Sequence, residues 1–347
     1  MTARRDGAWS RHQWQYRLRR LRPADMPTVV AMWREQCPLP DDLRQRLPNV
    51  LEYLLANQHV FGLAVERLRQ PGGTWEVAAF GVGGFMADGL RQRYLRAPFG
   101  FLAAHVLERV AGNDTASVLL SREEVARRQM RREPTLDYMV LCWLQDNYDF
   151  TDMDARQLLL QGIRLLDRYV NGLRLRSLLL EGQAFNRPAF EMAGFGRLID
   201  CADKVPEEYL PLTRREDYVP YLHGLHAWDD IRERRFLGPL ARLFVISEPV
   251  LGLTESQKEV LDLALDGFAD RAIADMLGIS SNAVHMRWRG IYDKAAVVLP
   301  ELARIDEACD KGYRGMEKRR VVLEYIRDHP QEIRTALHMP WNTSENG

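Results

Sequence analysis

The stretch LTESQKEVLDLALDGFADRAIADMLGISSNAVHMRWRGIYDK, Leu253 to Lys294, holds three helical periods divided by two turn signals. Thr254, with Gln257 three residues on, makes a capping box. The first helix it opens has an apolar face of Val260, Leu261, Leu263 and Ala264 and closes at Gly267. A short second helix, Asp270–Leu277, turns Ala272, Ile273 and Leu277 inward and stops at Gly278, where glycine takes a left-handed conformation at little cost. Ile279 plugs the core, and Ser280 or Ser281 caps a third helix, Asn282–Lys294. The spacing turns Val284 and Ile291 inward and exposes His285, Met286, Arg287, Trp288 and Arg289 in the first two turns. A helix docked by its N-terminal half, with donors for base edges and cations for phosphates, suits a DNA major groove.

The segment resembles the LuxR (also NarL or GerE) type of helix-turn-helix domain. The matching residues are Leu253-Thr254, Val260-Leu261, Gly267, Ile273-Ala274, Leu277-Gly278-Ile279-Ser280, Val284, Ile291 and Lys294. Ala283 departs from the family's usual Thr, and Arg287 from its usual His. The resemblance implies a transcription regulator with double-stranded DNA as partner. It brings His285, Met286 and Arg289 nearest the bases and sets Ser281, Arg287 and Lys294 on phosphates. Asn282 and Trp288 are counted in the same DNA-facing surface.

Charge qualifies that expectation. The chain balances 48 Lys and Arg against 48 Asp and Glu, and residues 251–347 carry 13 basic against 16 acidic side chains. Phosphate neutralisation supplies most non-specific affinity. One copy should therefore bind weakly, and a homodimer on paired half-sites is the expected remedy. Residues 299–347 extend past the reading helix with a basic cluster, Lys311, Arg314, Lys318, Arg319 and Arg320. Val321, Val322, Tyr325, Ile326, Ile333 and Leu337 follow at helical spacing. They suit a dimerisation helix, or one that packs back on its own bundle.

A chain of 347 residues accommodates two domains. No stretch approaches the roughly 20 apolar residues of a membrane span. The basic N-terminus lacks the apolar run of a secretion signal, so a cytoplasmic location is expected. Cys37, Cys142, Cys201 and Cys309 lie far apart, without metal-ligand spacing, and read as buried thiols. His223 and His226 form an HxxH with no accompanying ligand set, so no metal and no cofactor are expected.

The boundaries read as a polar arm (1–16), a mixed domain (17–202), a connector (203–250), the helix-turn-helix (251–298) and a helical extension (299–347). In the mixed domain, Thr28–Glu35 and Asp41–Leu55 suit helices. Phe61–Arg67 and Trp75–Met86 suit a hairpin around Gln70-Pro71-Gly72-Gly73. Leu136–Leu144 and Leu173–Glu181 suit buried strands on either side of a helix, Met153–Asn171. Arg127, Arg128, Arg131 and Arg132, with Glu123, Glu124 and Glu133, suit a solvated helix face. Trp75, Tyr138, Trp143, Tyr148 and Phe150 are candidates to line a cleft.

This region resembles the GNAT (N-acetyltransferase) superfamily. LRRLRPADMPTVVAMWRE, Leu18 to Glu35, is similar to the family's first strand and helix, and NRPAFEMAGFGRLID, Asn186 to Asp200, to its closing section. The resemblance implies an α+β fold, a GNAT-like mixed sheet flanked by helices, ahead of an all-α domain. It also implies an acyl-CoA site, and there the sequence departs. Where the family has a glycine-rich pyrophosphate loop, Asn147 to Arg156 contains no glycine and three aspartates. Where the family has a tyrosine as general acid, Phe190 has no proton to give. The expected role is a non-catalytic sensor or an interaction and dimerisation module, taking a small-molecule effector or protein partner. An active acyl-CoA-dependent acyltransferase fused to a DNA-binding domain is the alternative. A receiver or autoinducer-type domain is a further one, though it leaves the Asn186–Asp200 phrase unexplained.

Overall fold

A computed structural model of the chain describes residues 15–68, 73–195, 197–214, 218–227, 239–245, 247–308 and 311–334. The hairpin turn, Cys309, Leu337 and most of the N-terminal arm lie outside the described residues. No helix among the described residues is long and apolar enough to cross a membrane.

The first unit runs β1 (Gln15–Arg20), α1 (Met26–Gln36), α2 (Asp41–Ala56), β2 (Val60–Leu68) and β3 (Trp75–Phe85). It continues through α3 (Asp88–Arg96), α4 (Leu102–Ala111), α5 (Arg122–Gln129), β4 (Leu136–Gln145) and α6 (Met153–Val170). It ends with β5 (Leu175–Gln183), α7 (Arg187–Ala193), β6 (Arg197–Asp200) and β7 (Tyr221–Ala227). The strands form one seven-stranded sheet in the order β1-β2-β3-β4-β5-β7-β6. All neighbours are antiparallel except β4 and β5, which run parallel with α6 as the crossover.

Helices cover both sheet faces, which is why β2 and β4 read as almost unbroken apolar runs. Along β4, Met139 and Leu141 enter the core beneath α1, α2 and α4, whereas Tyr138 and Val140 enter the core beneath α6. The parallel pairing spans only Leu136↔Leu175 to Val140↔Leu180. Beyond it, β4 stays with β3 up to Gln145, and β5 stays with β7 up to Gln183. The sheet therefore opens as a V between the C-terminal ends of β4 and β5. The register against β3 also skips Leu141, a bulge at the start of the opening.

Residues 203–250 are more than a connector. They supply β7, which pairs with β5 on one side and β6 on the other, so the sheet unit extends to Ala227. Its sequence, YLHGLHA, breaks the apolar alternation with two histidines and a glycine, and the pattern hides the strand. The arm is likewise shorter than its expected end at residue 16, because Gln15 and Tyr16 already pair with β2.

The second unit holds α8 (Glu255–Leu265), α9 (Asp270–Leu277), α10 (Ser281–Val298), α11 (Pro300–Ala308) and α12 (Lys311–Asp328). Val260, Ile273, Val284, Ile291, Leu302, Val322 and Ile326 share one core. The apolar residues of α12 thus pack back on the bundle, with Val321 and Tyr325 only partly covered. Thr254 caps α8 in a complete capping box with Gln257, and Ser280, rather than Ser281, caps α10. Gly278 ends α9 at φ +64°.

Candidate functional site

The α9 to α10 turn decides which face of α10 is free. Val284, Trp288 and Ile291 lie at 3.6-residue spacing and enter the core. That leaves Ser281, Asn282, His285, Met286 and Arg289 exposed together along the first two turns. Met286 keeps 57% of its surface, a value that an inward methionine would not have. The His285 side chain is 67% exposed, with Nε2 3.6 Å from Asp270 Oδ2. Arg289 makes no hydrogen bond or ion pair among the described residues.

Three expected members of this surface are placed differently. Trp288 is 4% exposed, so it is a core residue and not a groove contact. Its Nε1 donates to Asp270 Oδ1 at 3.2 Å, and the Arg319 guanidinium lies 4.7 Å above its ring. A large apolar ring one step from the buried row is cheaper to bury, with its N–H satisfied, than to expose. Arg287 is half-buried, donating to the Ser256 carbonyl at 3.3 Å with Glu259 3.7 Å away. Lys294 is half-buried too: its Nζ reaches the Gly252 carbonyl at 2.7 Å and Gln257 Oε1 at 3.0 Å. Both tie α10 to the start of α8. Of the basic cluster, Arg319 also reaches Asp270 Oδ1 at 2.6 Å, and Arg320 pairs with Glu317 and Glu324.

The two units meet through buried charge. Asp262 on α8 and Asp266, the C-cap four residues on, face β1 and the end of α6. Arg20 reaches Asp262 Oδ2 at 2.5 Å and Asp266 Oδ2 at 2.7 Å. Asp266 Oδ1 accepts from Arg168 Nη2 at 2.8 Å and Tyr169 Oη at 2.5 Å. Arg334, after α12, reaches Asp262 Oδ1 at 3.2 Å and the Arg168 carbonyl at 2.5 Å. Burial disfavours the Asp262 charge, but Arg20 and Arg334 outweigh it and hold the carboxyl below its ordinary range. The sequence reading missed this cluster. Its available signal was a pair of like charges at i,i+4 on an amphipathic helix, which repel unless something outside the helix neutralises them.

In the sheet unit, the segment from Asn147 to Arg156 bonds several of its own backbone amides. Asn147 Oδ1 accepts from the Asp149 amide at 2.9 Å, and Asp149 Oδ1 from the Thr151 amide at 2.9 Å. Asp152 Oδ1 accepts from the Asp154 amide at 3.0 Å, capping α6. Asp154 turns inward to Arg67 and to Tyr16 Oη, the latter at 2.6 Å. The amides of Asp149, Thr151 and Asp154 are thus held by side-chain oxygens, and the exposed carboxylates of Asp149 and Asp152 would meet any anion there, so this loop suits a CoA pyrophosphate poorly.

Of the candidate cleft aromatics, Tyr138, Trp143, Tyr148 and Phe150 line one cavity at the V, whereas Trp75 sits away from it under Arg17. Phe190 is buried in the cavity wall, its ring filling the space a Cβ on Gly182 would take. Of the expected helix face at Glu123–Glu133, α5 ends at Gln129, so Arg131, Arg132 and Glu133 lie exposed in the bend beyond it; Arg127 is exposed on the helix, but Arg128 is buried between Asp88 and Glu124.

His223 of the HxxH lies fully buried in β7, with Nε2 3.0 Å from Glu181 Oε1 and Nδ1 beside Tyr94 Oη and Cys201 Sγ. Burial works against its charge, yet Cys201 and Glu181 push it up to about 9. No cluster of three potential metal ligands occurs among the described residues. Compared with protein-family models and with curated proteins, the chain matches none.

Proposed function

We propose that the chain is a sequence-specific DNA-binding transcriptional regulator of the cytoplasm. In this reading a LuxR-type reading domain is joined to a GNAT-like domain that senses or contacts without catalysing. The observation that carries the proposal is the outer side of α10. His285, Met286 and Arg289 stand exposed on a helix fixed from behind by Val284, Trp288 and Ile291. A rigid row of a donor, an apolar side chain and an arginine at i, i+1 and i+4 is equipped to touch base edges. The junction leaves it clear, since the sheet unit is held by α8.

The GNAT-like half is supported by the order hairpin, long strand, helix, strand, met here as β2, β3, β4, α6 and β5 with α3, α4 and α5 standing between β3 and β4. Acyl transfer is disfavoured on two counts. The loop before α6 gives the amides of Asp149, Thr151 and Asp154 to its own side chains, and Phe190 has no proton for a leaving thiolate. Two copies, each offering one α10, would read half-sites about 34 Å apart on one face of the duplex.

Selection from a random duplex library by the full-length protein tests the proposal. Enrichment of a two-part site, lost in Arg289→Ala at one base position, is the expected result. Recovery of no sequence preference would overturn it. Calorimetric titration with acetyl-CoA is expected to give no heat, and micromolar binding would return the acyltransferase reading.

A further inference from the structure

The V between β4 and β5 joins two cavities. One, of about 70 Å³, is apolar and lies against α6 and α7. The other, of about 320 Å³, lies on the opposite face beside the end of α1. Trp143, Gln145, Tyr148, Glu181, Gly182 and Asn186 line both. The space is continuous with the split in the sheet, where the β4 and β5 backbones no longer pair.

The walls determine what can enter. Glu181 is committed to the amides of Leu102 and Ala103 at 2.8 and 2.6 Å and to His223, so it offers no free charge. Gln36, Gln145, Gln183 and Tyr148 are cross-linked over the polar side: Gln183 Nε2 donates to the Gln36 carbonyl at 2.9 Å, and Tyr148 Oη to Gln36 Oε1 at 3.0 Å. Two buried polar atoms of the lining are left over: Arg44 Nε, on the larger cavity alone, and one on a residue that both cavities share. Asn186 Oδ1 is buried and has no hydrogen-bond partner among the described residues. An unpaired buried amide oxygen costs free energy until a donor reaches it. A water there would need two or more polar partners, and the apolar side supplies none.

We infer that this gap is a binding site for a small uncharged amphipathic molecule. Its short aliphatic or aromatic tail occupies the cavity against α6, and its hydrogen-bonding head meets the Asn186 amide. The inference rests on the sensor reading of the sheet domain and names the class of effector. A carboxylate head would bring no donor to Asn186 Oδ1, and a charged tail in the cavity against α6 would meet only the committed Glu181, since Arg34, Glu35, Arg44 and Asp146 line the larger cavity alone. A nucleotide-bearing ligand would find the amides of Asp149, Thr151 and Asp154 already taken and the carboxylates of Asp149 and Asp152 beside its phosphates.

Hexanamide is a direct probe, because its amide supplies both a donor and an acceptor and its tail is short. Calorimetry on the full chain should show one site, unaffected by acetyl-CoA. Asn186→Leu should weaken binding about tenfold, the loss of one buried hydrogen bond. Ala193→Met should abolish it by filling the apolar end. Ile163→Ala, which enlarges that end, should shift preference from hexanamide to octanamide, and this reports on the site even if Ala193→Met fails to fold. No binding, binding that none of these substitutions alters, or displacement by acetyl-CoA would overturn the inference. The duplex selection separates the two readings. Amide binding without DNA preference sinks the regulator alone, and DNA preference without amide binding sinks this site alone.

Discussion

At the scale of single residues, neighbours on α10 have opposite destinies. Trp288 is packed under Arg319 and bonded to Asp270, whereas Arg289 is exposed and has no partner among the described residues. Their substitutions should separate cleanly. Trp288→Ala should cost about 3–5 kcal/mol of domain stability, seen in urea unfolding, because it empties a core position. Arg289→Ala should leave unfolding unchanged and lower discrimination at one base pair by about 1–3 kcal/mol, read from binding to single-mismatch duplexes. If Arg289→Ala instead weakens all duplexes equally, the residue is a phosphate contact. His223 carries a second residue-scale expectation. Its folded value, about 9, exceeds the ordinary histidine range near 6.5. Its contribution is therefore complete below about pH 6.5 and lost as pH rises through 9. The thermal midpoint should fall across that window, and His223→Gln should flatten the fall. The exposure of His285, Met286 and Arg289 on α10 was legible in the sequence, because helical spacing settles the face. The sequence reading erred at Trp288, which lies on the border of that face, where side-chain size and a partner from another helix decide.

At the scale of elements, what was legible was what is locally encoded. Thr254, Gln257 and Gly278 fix helix ends through bonds spanning three or four residues, and those ends fall where the sequence set them. Thr254→Ala should therefore cost about 1 kcal/mol of stability. Gly278→Ala, which forces a Cβ into φ +64°, should cost a similar amount or up to about 2 kcal/mol. Chemical denaturation of the full chain would measure both, and a neutral Gly278→Ala would mean the turn relaxes. Elements encoded by distant partners stayed hidden. β7 exists because β5 and β6 hold it from either side, and its buried histidine is tolerated because Glu181 and Tyr94 receive it. The helices α3 and α4 lie in a stretch where no repeating pattern was read. The split in the sheet has no local code at all, since it depends on where β4 and β5 cease to pair.

At the scale of the whole molecule, one helix links the two candidate sites. α6 lines the apolar cavity with Leu159, Gly162, Ile163 and Leu166, and two residues later Arg168 and Tyr169 grip Asp266 of the helix-turn-helix unit. Any displacement of α6 by an occupant is thus passed to α8 through buried charge. Salt screens such buried pairs far less than surface ones. Asp262 sits below the ordinary carboxyl range, so its contribution is present at neutral pH and is lost only as pH falls through that lowered value. The rigidity of the junction depends on Arg20, which alone among the described residues bridges both aspartates. Arg20→Ala would leave those carboxylates buried with partial compensation from Arg168, Tyr169 and Arg334, and breaking such a cluster costs about 3–5 kcal/mol. Scanning calorimetry should show the full chain melting in a single transition and Arg20→Ala melting in two, the sheet unit and the helical unit having lost their common constraint. A single undivided transition in Arg20→Ala would mean that the packing of Pro330 and Gln331 against Gly172 couples the units without the charges.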